Sequence, residues 1–106
     1  MKIPGEGPEM TKLIVPKDIR ELIRKTHPDL KKKIRASLRM ILSNPNCGKA
    51  LVDELSGLRS LRVSSFRIIY RIKKAEGIEL VAIGPRERIY EETFRLIQKS
   101  GEEREK

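Results

Sequence analysis

The first half of the chain alternates short apolar runs with apolar positions spaced one helical turn apart. Residues 11–15 form an apolar run ended by a proline, which predicts a short strand. Residues 18–26 carry apolar side chains on one helical face, and a second such stripe begins at Asp29. Turn-forming residues at 44–48 end the second stripe. The pattern predicts a strand followed by a helical hairpin joined at His27-Pro28.

The second half of the chain changes to a period of two. Residues 58–63, 66–72 and 78–83 alternate in polarity, which predicts three antiparallel strands, and residues 89–98 have the spacing of a last helix. One face of the predicted sheet carries, by parity, Leu61, Val63, Phe66, Ile68, Tyr70, Ile72, Ile78, Leu80 and Ala82. This continuous apolar face is the one that the helices would cover.

The predicted fold is therefore α+β. An N-terminal strand and a two-helix hairpin pack on one face of a curved antiparallel three- to four-stranded sheet, and a C-terminal helix follows. The other face of the sheet stays uncovered and concave, and it displays Arg62, Arg67 and Arg71. A shift of one residue in register would reverse the two faces.

The 106 residues suit one domain, which we expect at residues 10–98, with a flexible extension at 1–9 and a charged flexible tail at 99–106. One Cys and one His exclude a disulfide framework and argue against a structural zinc site or another metal centre. No apolar run is long enough to cross a membrane, and the first ten residues lack the apolar stretch of a signal peptide. We expect a cytoplasmic protein without a cofactor.

The positive charge is concentrated in two segments. The chain has 24 Lys and Arg against 15 Asp and Glu, a formal charge of +9. Residues 17–39 and residues 57–74 each contribute +6, and the second segment contains no acidic residue. Strand sequence with unopposed positive charge indicates a polyanionic partner, with nucleic acid favoured over a membrane surface.

Residues 55–90, which include the second basic segment, contain a set of motifs that are specific to one superfamily. They are, in order, Leu55-Ser56-Gly57, Ser60-Leu61-Arg62-Val63, Phe66-Arg67-Ile68-Ile69-Tyr70-Arg71-Ile72, Gly84-Pro85-Arg86 and Ile89-Tyr90. With the order of elements from Met10 to Ile97, they resemble the RelE/ParE family, the toxins of type II toxin–antitoxin pairs. RelE-type members cut mRNA in the ribosomal A site without a metal, by attack of the ribose 2′-oxygen on the adjacent phosphate.

The resemblance implies a catalytic role for four residues. Arg62 falls at a basic strand position, and Arg67 falls where the family contacts the scissile phosphate. Arg86 matches the phosphate clamp or general acid, and Tyr90 matches the tyrosine that stacks on or orients the substrate. Arginine suits such a site because its rigid fork binds two phosphate oxygens and stays charged.

Other basic residues are candidates for RNA binding, and they are Arg59, Arg71, Lys73, Lys31, Lys32 and Lys33. A solvated helix face explains the three lysines equally well, and charges that protect a strand edge explain Arg71 and Lys73. The expected partners are the ribosome with its mRNA and a cognate antitoxin. The antitoxin should contribute an acidic or amphipathic segment, because opposite charge speeds and tightens association.

The sequence also departs from the RelE-type pattern. Leu58 and Ser60 stand where RelE-type nucleases carry lysines, and Pro85 stands where many relatives have histidine. The lone histidine, His27, lies in the predicted helical hairpin, and Glu87 beside the Gly-Pro-Arg motif is a remote candidate for the proton acceptor. Two alternatives therefore stay open: a ParE-like inhibitor of DNA gyrase that cleaves no RNA, and a degraded toxin that only binds RNA or its antitoxin.

Overall fold

The structure, a computed structural model, describes residues 12–73 and 76–105, with side chains up to residue 99. Its elements are β1 (Leu13–Ile14), α1 (Lys17–Arg24), α2 (Pro28–Ser43), β2 (Lys49–Ala50), β3 (Arg59–Val63), β4 (Phe66–Lys73), β5 (Gly77–Pro85) and α3 (Ile89–Glu105). No helix in the described part of the chain is long and apolar enough to cross a bilayer.

The predicted α+β order of elements is confirmed, with differences at the element ends. α3 continues to Glu105, through most of the segment predicted as a tail, whereas the apolar spacing predicts an end at residue 98. The predicted N-terminal extension lies outside the described residues. At the hairpin, Pro28 occupies the first helical turn of α2, and His27 Nδ1 accepts a hydrogen bond from the Asp29 N–H at 3.1 Å. The one histidine is thus a helix cap.

The five strands form one sheet in the order β1-β5-β4-β3-β2. β1 runs parallel to β5, and the other neighbours are antiparallel. The central meander of β3, β4 and β5 matches the three strands that alternation predicts. β1 lies within the strand predicted at residues 11–15, whereas β2, with two residues, is too short for a periodic signal.

A β-bulge in β5 changes the predicted faces of the last strand. The register between β4 and β5 shifts after Ile69, whose partner is Ala82, and leaves Val81 as an extra residue. Ala82 therefore packs on the face opposite to the helical hairpin, and Ile83 packs beneath the hairpin. The sheet face predicted for these two residues was wrong, because the alternation of side chains between the two faces is interrupted at a bulge.

Both faces of the sheet carry a hydrophobic core. The core beneath the hairpin contains Ile19, Ile34, Ile41, Val63, Ile68, Tyr70, Ile78, Leu80 and Ile83. The core on the other face contains Leu58, Ile69, Ala82 and Ile89, with Leu51, Leu55, Val81, Tyr90 and Ile97 packed against it. The prediction that this second face is uncovered was wrong for the middle of the face, because the apolar side of α3 packs against it.

The buried phenol of Tyr70 ties the core to the loop that follows α2. Its hydroxyl donates a hydrogen bond to the Pro45 carbonyl at 2.6 Å and accepts one from the Gly48 N–H at 2.9 Å. A Cβ at residue 48 would lie 2.5 Å from the Tyr70 oxygen, so only glycine fits there. Burial raises the pKa of Tyr70 above its usual value of 10.0.

The turn between β3 and β4 is backbone-strained. Val63 pairs with Phe66, which leaves Ser64 and Ser65 as a two-residue loop, and Ser64 has φ 60°. A first loop residue with positive φ favours glycine in such hairpins, because a Cβ is disfavoured in the left-handed region.

Replacing Ser64 by glycine is expected to raise the free energy of unfolding by up to about 1 kcal/mol, since glycine removes the left-handed strain. Urea denaturation measures this change. Ser65→Gly is the matched control, because Ser65 lies outside the left-handed region and should lose about 0.5–1 kcal/mol. A Ser64→Gly variant less stable than the wild type would contradict the strain assignment.

Candidate functional site

An open hollow of about 360 Å³ lies on the second face of the sheet, where β4 begins and β5 passes into α3. We call it the arginine hollow, and it is lined by Ser65, Arg67, Arg86, Glu87 and Tyr90. Three stretches of chain supply these five residues: the β3–β4 turn with the start of β4, the β5–α3 loop, and the first turn of α3.

The backbone fixes the relative position of these stretches. Arg67 lies opposite Gly84 in the β4–β5 register. Beyond the end of β5, the Arg86 N–H donates to the Ser65 carbonyl at 3.0 Å, which ties the β5–α3 loop to the β3–β4 turn. Ile89 is 1% exposed at the start of α3 and anchors that end of the helix in the second core. Tyr90 follows it directly and so reaches the rim of the hollow.

Within the hollow, Arg67 and Tyr90 share one buried hydroxyl. Arg67 Nη1 donates to Ser60 Oγ at 3.0 Å, and the Tyr90 hydroxyl donates to the same oxygen at 3.2 Å. The Arg67 guanidinium also lies 5.8 Å from the centroid of the Tyr90 ring, within the range of a cation–π contact. The phenol and the guanidinium are therefore held as a unit.

The two guanidinium groups that line the hollow outnumber the one carboxylate in its lining, that of Glu87. Within the described residues, no carboxylate forms an ion pair with Arg67 or Arg86. Arg62 lies directly opposite Arg67 in the β3–β4 register, and its Nε donates to the Ser64 carbonyl at 3.3 Å. Like charges at facing positions of a sheet repel each other and destabilise it. A bound anion would relieve this repulsion, so this end of the sheet is suited to bind one.

The basic residues predicted on the same face divide into two groups. Arg71 lies on the face of Arg67 but beyond Ile69, and its Nη2 pairs with Glu79 Oε1 at 3.0 Å. Lys73 pairs with the same carboxylate at 3.9 Å. Arg71 and Lys73, both candidates for RNA binding, are thus engaged by Glu79 on the neighbouring strand.

The other candidates for RNA binding lie away from the hollow. Arg59 donates to the carbonyls of Gly48 at 3.1 Å and Asn46 at 3.3 Å, so it braces the loop after α2. Lys31, Lys32 and Lys33 lie on α2, which packs on the opposite face of the sheet. The structure brings together Arg67, Arg86 and Tyr90, with Arg62 beside them. None of the six candidates for RNA binding joins this group.

Two residues of this site escaped the sequence analysis. Ser60 was noted only as part of a family motif and as a departure from the lysine pattern, and Ser65 was not singled out. The parity of Ser60 with Arg62 and Arg67 was the available signal, since it places the hydroxyl on the face of the arginines. In the described part of the chain no group of three or more His, Cys, Asp and Glu side chains has the arrangement of a metal site.

Comparison with known proteins agrees with this fold. The family model of the ParE toxin of the type II toxin–antitoxin system parDE matches residues 15–90. No curated protein matches the chain in sequence.

Solved structures of RelE proteins share the fold. The toxin–antitoxin complex RelBE2 from Mycobacterium tuberculosis has 22% identity and a TM-score of 0.63, over 72% of this chain and 98% of that chain. A mutant of the E. coli toxin RelE in the free state has 15% identity and a TM-score of 0.66, over 85% and 96%. The archaeal RelE–RelB complex from Pyrococcus horikoshii OT3 has 15% identity and a TM-score of 0.61, over 74% and 98%.

The family model covers well over half of the chain and includes every residue of the arginine hollow. At the identities above, the solved structures show the fold alone, and it is the fold that this chain adopts. The chain therefore belongs to the RelE/ParE superfamily and is the toxin of a type II toxin–antitoxin system.

Proposed function

We propose that this toxin is a ribosome-dependent mRNA endoribonuclease whose active site is the arginine hollow. The observation that carries the proposal is the convergence of Arg67 and Arg86 on one open hollow beside Tyr90, with no carboxylate of the described residues paired to either guanidinium. Two guanidinium groups can bind the non-bridging oxygens of one phosphodiester and stabilise the charge that builds on the phosphorane.

The chemistry is a transesterification within the RNA. The ribose 2′-oxygen attacks the adjacent phosphorus and loses its proton, and the bond from phosphorus to the 5′-oxygen breaks. The 5′-oxygen takes up a proton from water, which leaves a cyclic phosphate on one fragment and a free 5′-hydroxyl on the other. Glu87 is the carboxylate that lines the hollow, and we assign it the role of proton acceptor. The ribosome would hold the mRNA in the geometry for in-line attack.

The proposed partner that controls this toxin is an antitoxin with an acidic or amphipathic segment. The M. tuberculosis structure is a toxin–antitoxin complex and the P. horikoshii structure is a RelE–RelB complex, as their names state. For this chain the formal charge of +9 and the basic residues Arg62, Arg67 and Arg86 favour a partner that carries carboxylates to the same surface.

Mapping mRNA ends on programmed ribosomes tests the proposed activity. Purified toxin is incubated with ribosomes stalled with a defined codon in the A site, and primer extension locates cuts. We expect cleavage at the A-site codon in the presence of ribosomes. Treating the isolated toxin with EDTA beforehand should not change this cleavage. Intact mRNA in this assay would overturn the proposal.

A ParE-like inhibitor of DNA gyrase is the second candidate, because the matching family model is that of a ParE toxin. Supercoiling of relaxed plasmid by gyrase, measured with the same preparation, separates the two functions. A gyrase inhibitor would stop supercoiling and leave mRNA intact, whereas the nuclease would cut mRNA and leave supercoiling unchanged. A protein inactive in both assays and still able to bind RNA would be the degraded toxin.

A further inference from the structure

Ser60 is a buried hydroxyl whose hydrogen bonds go to two side chains of the arginine hollow. Its side chain is 2% exposed, and its Oγ lies 3.0 Å from Arg67 Nη1 and 3.2 Å from the Tyr90 hydroxyl. The hydroxyls of the buried Thr93 and Tyr70 are engaged elsewhere: Thr93 donates to the Ile89 carbonyl within α3 at 2.7 Å, and Tyr70 bonds to Pro45 and Gly48. Ser60 is thus the buried polar residue that serves the hollow.

The contacts around Ser60 form a closed triangle. The Arg67 guanidinium is bonded to Ser60 and also lies against the Tyr90 ring, while the Tyr90 hydroxyl returns to Ser60. One face of the ring is therefore turned towards a cation of the protein. Because the guanidinium is planar and rigid, fixing one of its N–H groups fixes the direction of the others.

We propose that Ser60 is a positioning residue: it orients Arg67 and Tyr90 together, so that the free N–H groups of Arg67 face a phosphate in the hollow. On the ring face that is turned towards Arg67, Tyr90 then influences the phosphate through its contact with Arg67. The inference relies on the proposed function for the identity of the ligand, but the ordering of Arg67 by Ser60 is a property of the protein alone.

The first test measures the order of the Arg67 side chain by ¹⁵N relaxation at Nε in wild type, Ser60→Ala and Ser60→Thr. Threonine keeps the hydroxyl and suits a strand. We expect a high order parameter in wild type and Ser60→Thr, and a value below ~0.6, typical of flexible groups, in Ser60→Ala. Thr93→Val is the matched control, because it removes another buried hydroxyl without touching the triangle, and it should leave Arg67 ordered.

The second test follows cleavage on programmed ribosomes. A guanidinium that is no longer oriented should lower kcat by about 10- to 100-fold in Ser60→Ala while KM changes by less than about threefold, since long-range charge still attracts RNA. Ser60→Thr should restore kcat to within about threefold of wild type. Ser60→Ala and Tyr90→Phe remove contacts of one network, so the double variant should lose less than the product of the two single losses.

The outcomes separate this inference from the proposed function. An Arg67 that stays rigid in Ser60→Ala would overturn the positioning role even if the wild type cuts mRNA. An equal loss of Arg67 order in Thr93→Val would also overturn it, because the effect would then come from general destabilisation. If the wild type cuts no mRNA, the proposed function fails, and the order parameters in the three proteins still decide whether Ser60 positions Arg67.

Discussion

Replacing Arg67 or Arg86 by alanine is expected to lower the rate of ribosome-dependent mRNA cleavage by about 10²- to 10³-fold. Each guanidinium is a preorganised donor at the place where charge develops on the phosphorane, and removal of one such donor typically has an effect of this size. Single-turnover cleavage of mRNA on saturating programmed ribosomes measures the loss without a contribution from binding.

The control for this prediction is Arg88→Ala. Arg88 lies two residues from Arg86, and its replacement by alanine removes the same charge. Arg88 Nε lies 4.0 Å from Glu92 Oε2, and Arg88 does not line the hollow. An exposed pair of this kind contributes little, so Arg88→Ala should retain most of the activity. Equal losses in Arg86→Ala and Arg88→Ala would show that net charge, and not the hollow, accounts for the effect.

Arg67→Lys separates charge from geometry at the same position. Lysine keeps the positive charge but lacks the planar fork that can bond to Ser60 and to a phosphate at once. We therefore expect it to recover only a small part of the activity lost in Arg67→Ala. Full recovery would mean that a point charge is sufficient at residue 67.

Replacing Tyr70 by phenylalanine is expected to lower the free energy of unfolding by about 1–3 kcal/mol at neutral pH. The Gly48 N–H and the Pro45 carbonyl lose their shared partner, and the N–H is left in a buried site. Urea denaturation measures the change. Tyr90→Phe is the matched control, since it removes one phenol oxygen at the half-buried rim of the hollow and should have a smaller effect on stability.

The same substitution should change how stability depends on alkaline pH. Burial holds the pKa of Tyr70 above its usual value of 10.0, so the folded protein retains a proton that the unfolded chain releases. The stabilisation from this group is complete below pH ~10 and is lost as the pH rises towards the folded pKa. Tyr70→Phe removes this titration, so the stability difference from wild type should shrink above pH ~10. A difference that stays constant up to pH ~11 would contradict the assignment.

Local sequence determined much of the fold. Alternation in residues 58–72 correctly placed Val63, Ile68 and Tyr70 on the face beneath the hairpin, because the side-chain period of a strand is fixed by its backbone. Pro28 and the apolar stripes correctly predicted the two helices of the hairpin. Helical spacing and capping depend on residues within a few positions of one another.

The tertiary structure decided which charges are available. The sequence placed Arg67 and Arg71 on one face, but only strand pairing brings Glu79 to Arg71 and leaves Arg67 without a carboxylate partner among the described residues. The bulge at Val81 and the packing of α3 on Ile69 likewise depend on contacts between distant segments. Local pattern therefore specified the elements and the arginines, whereas the hollow, with Ser60 beneath it, exists because separate elements meet there.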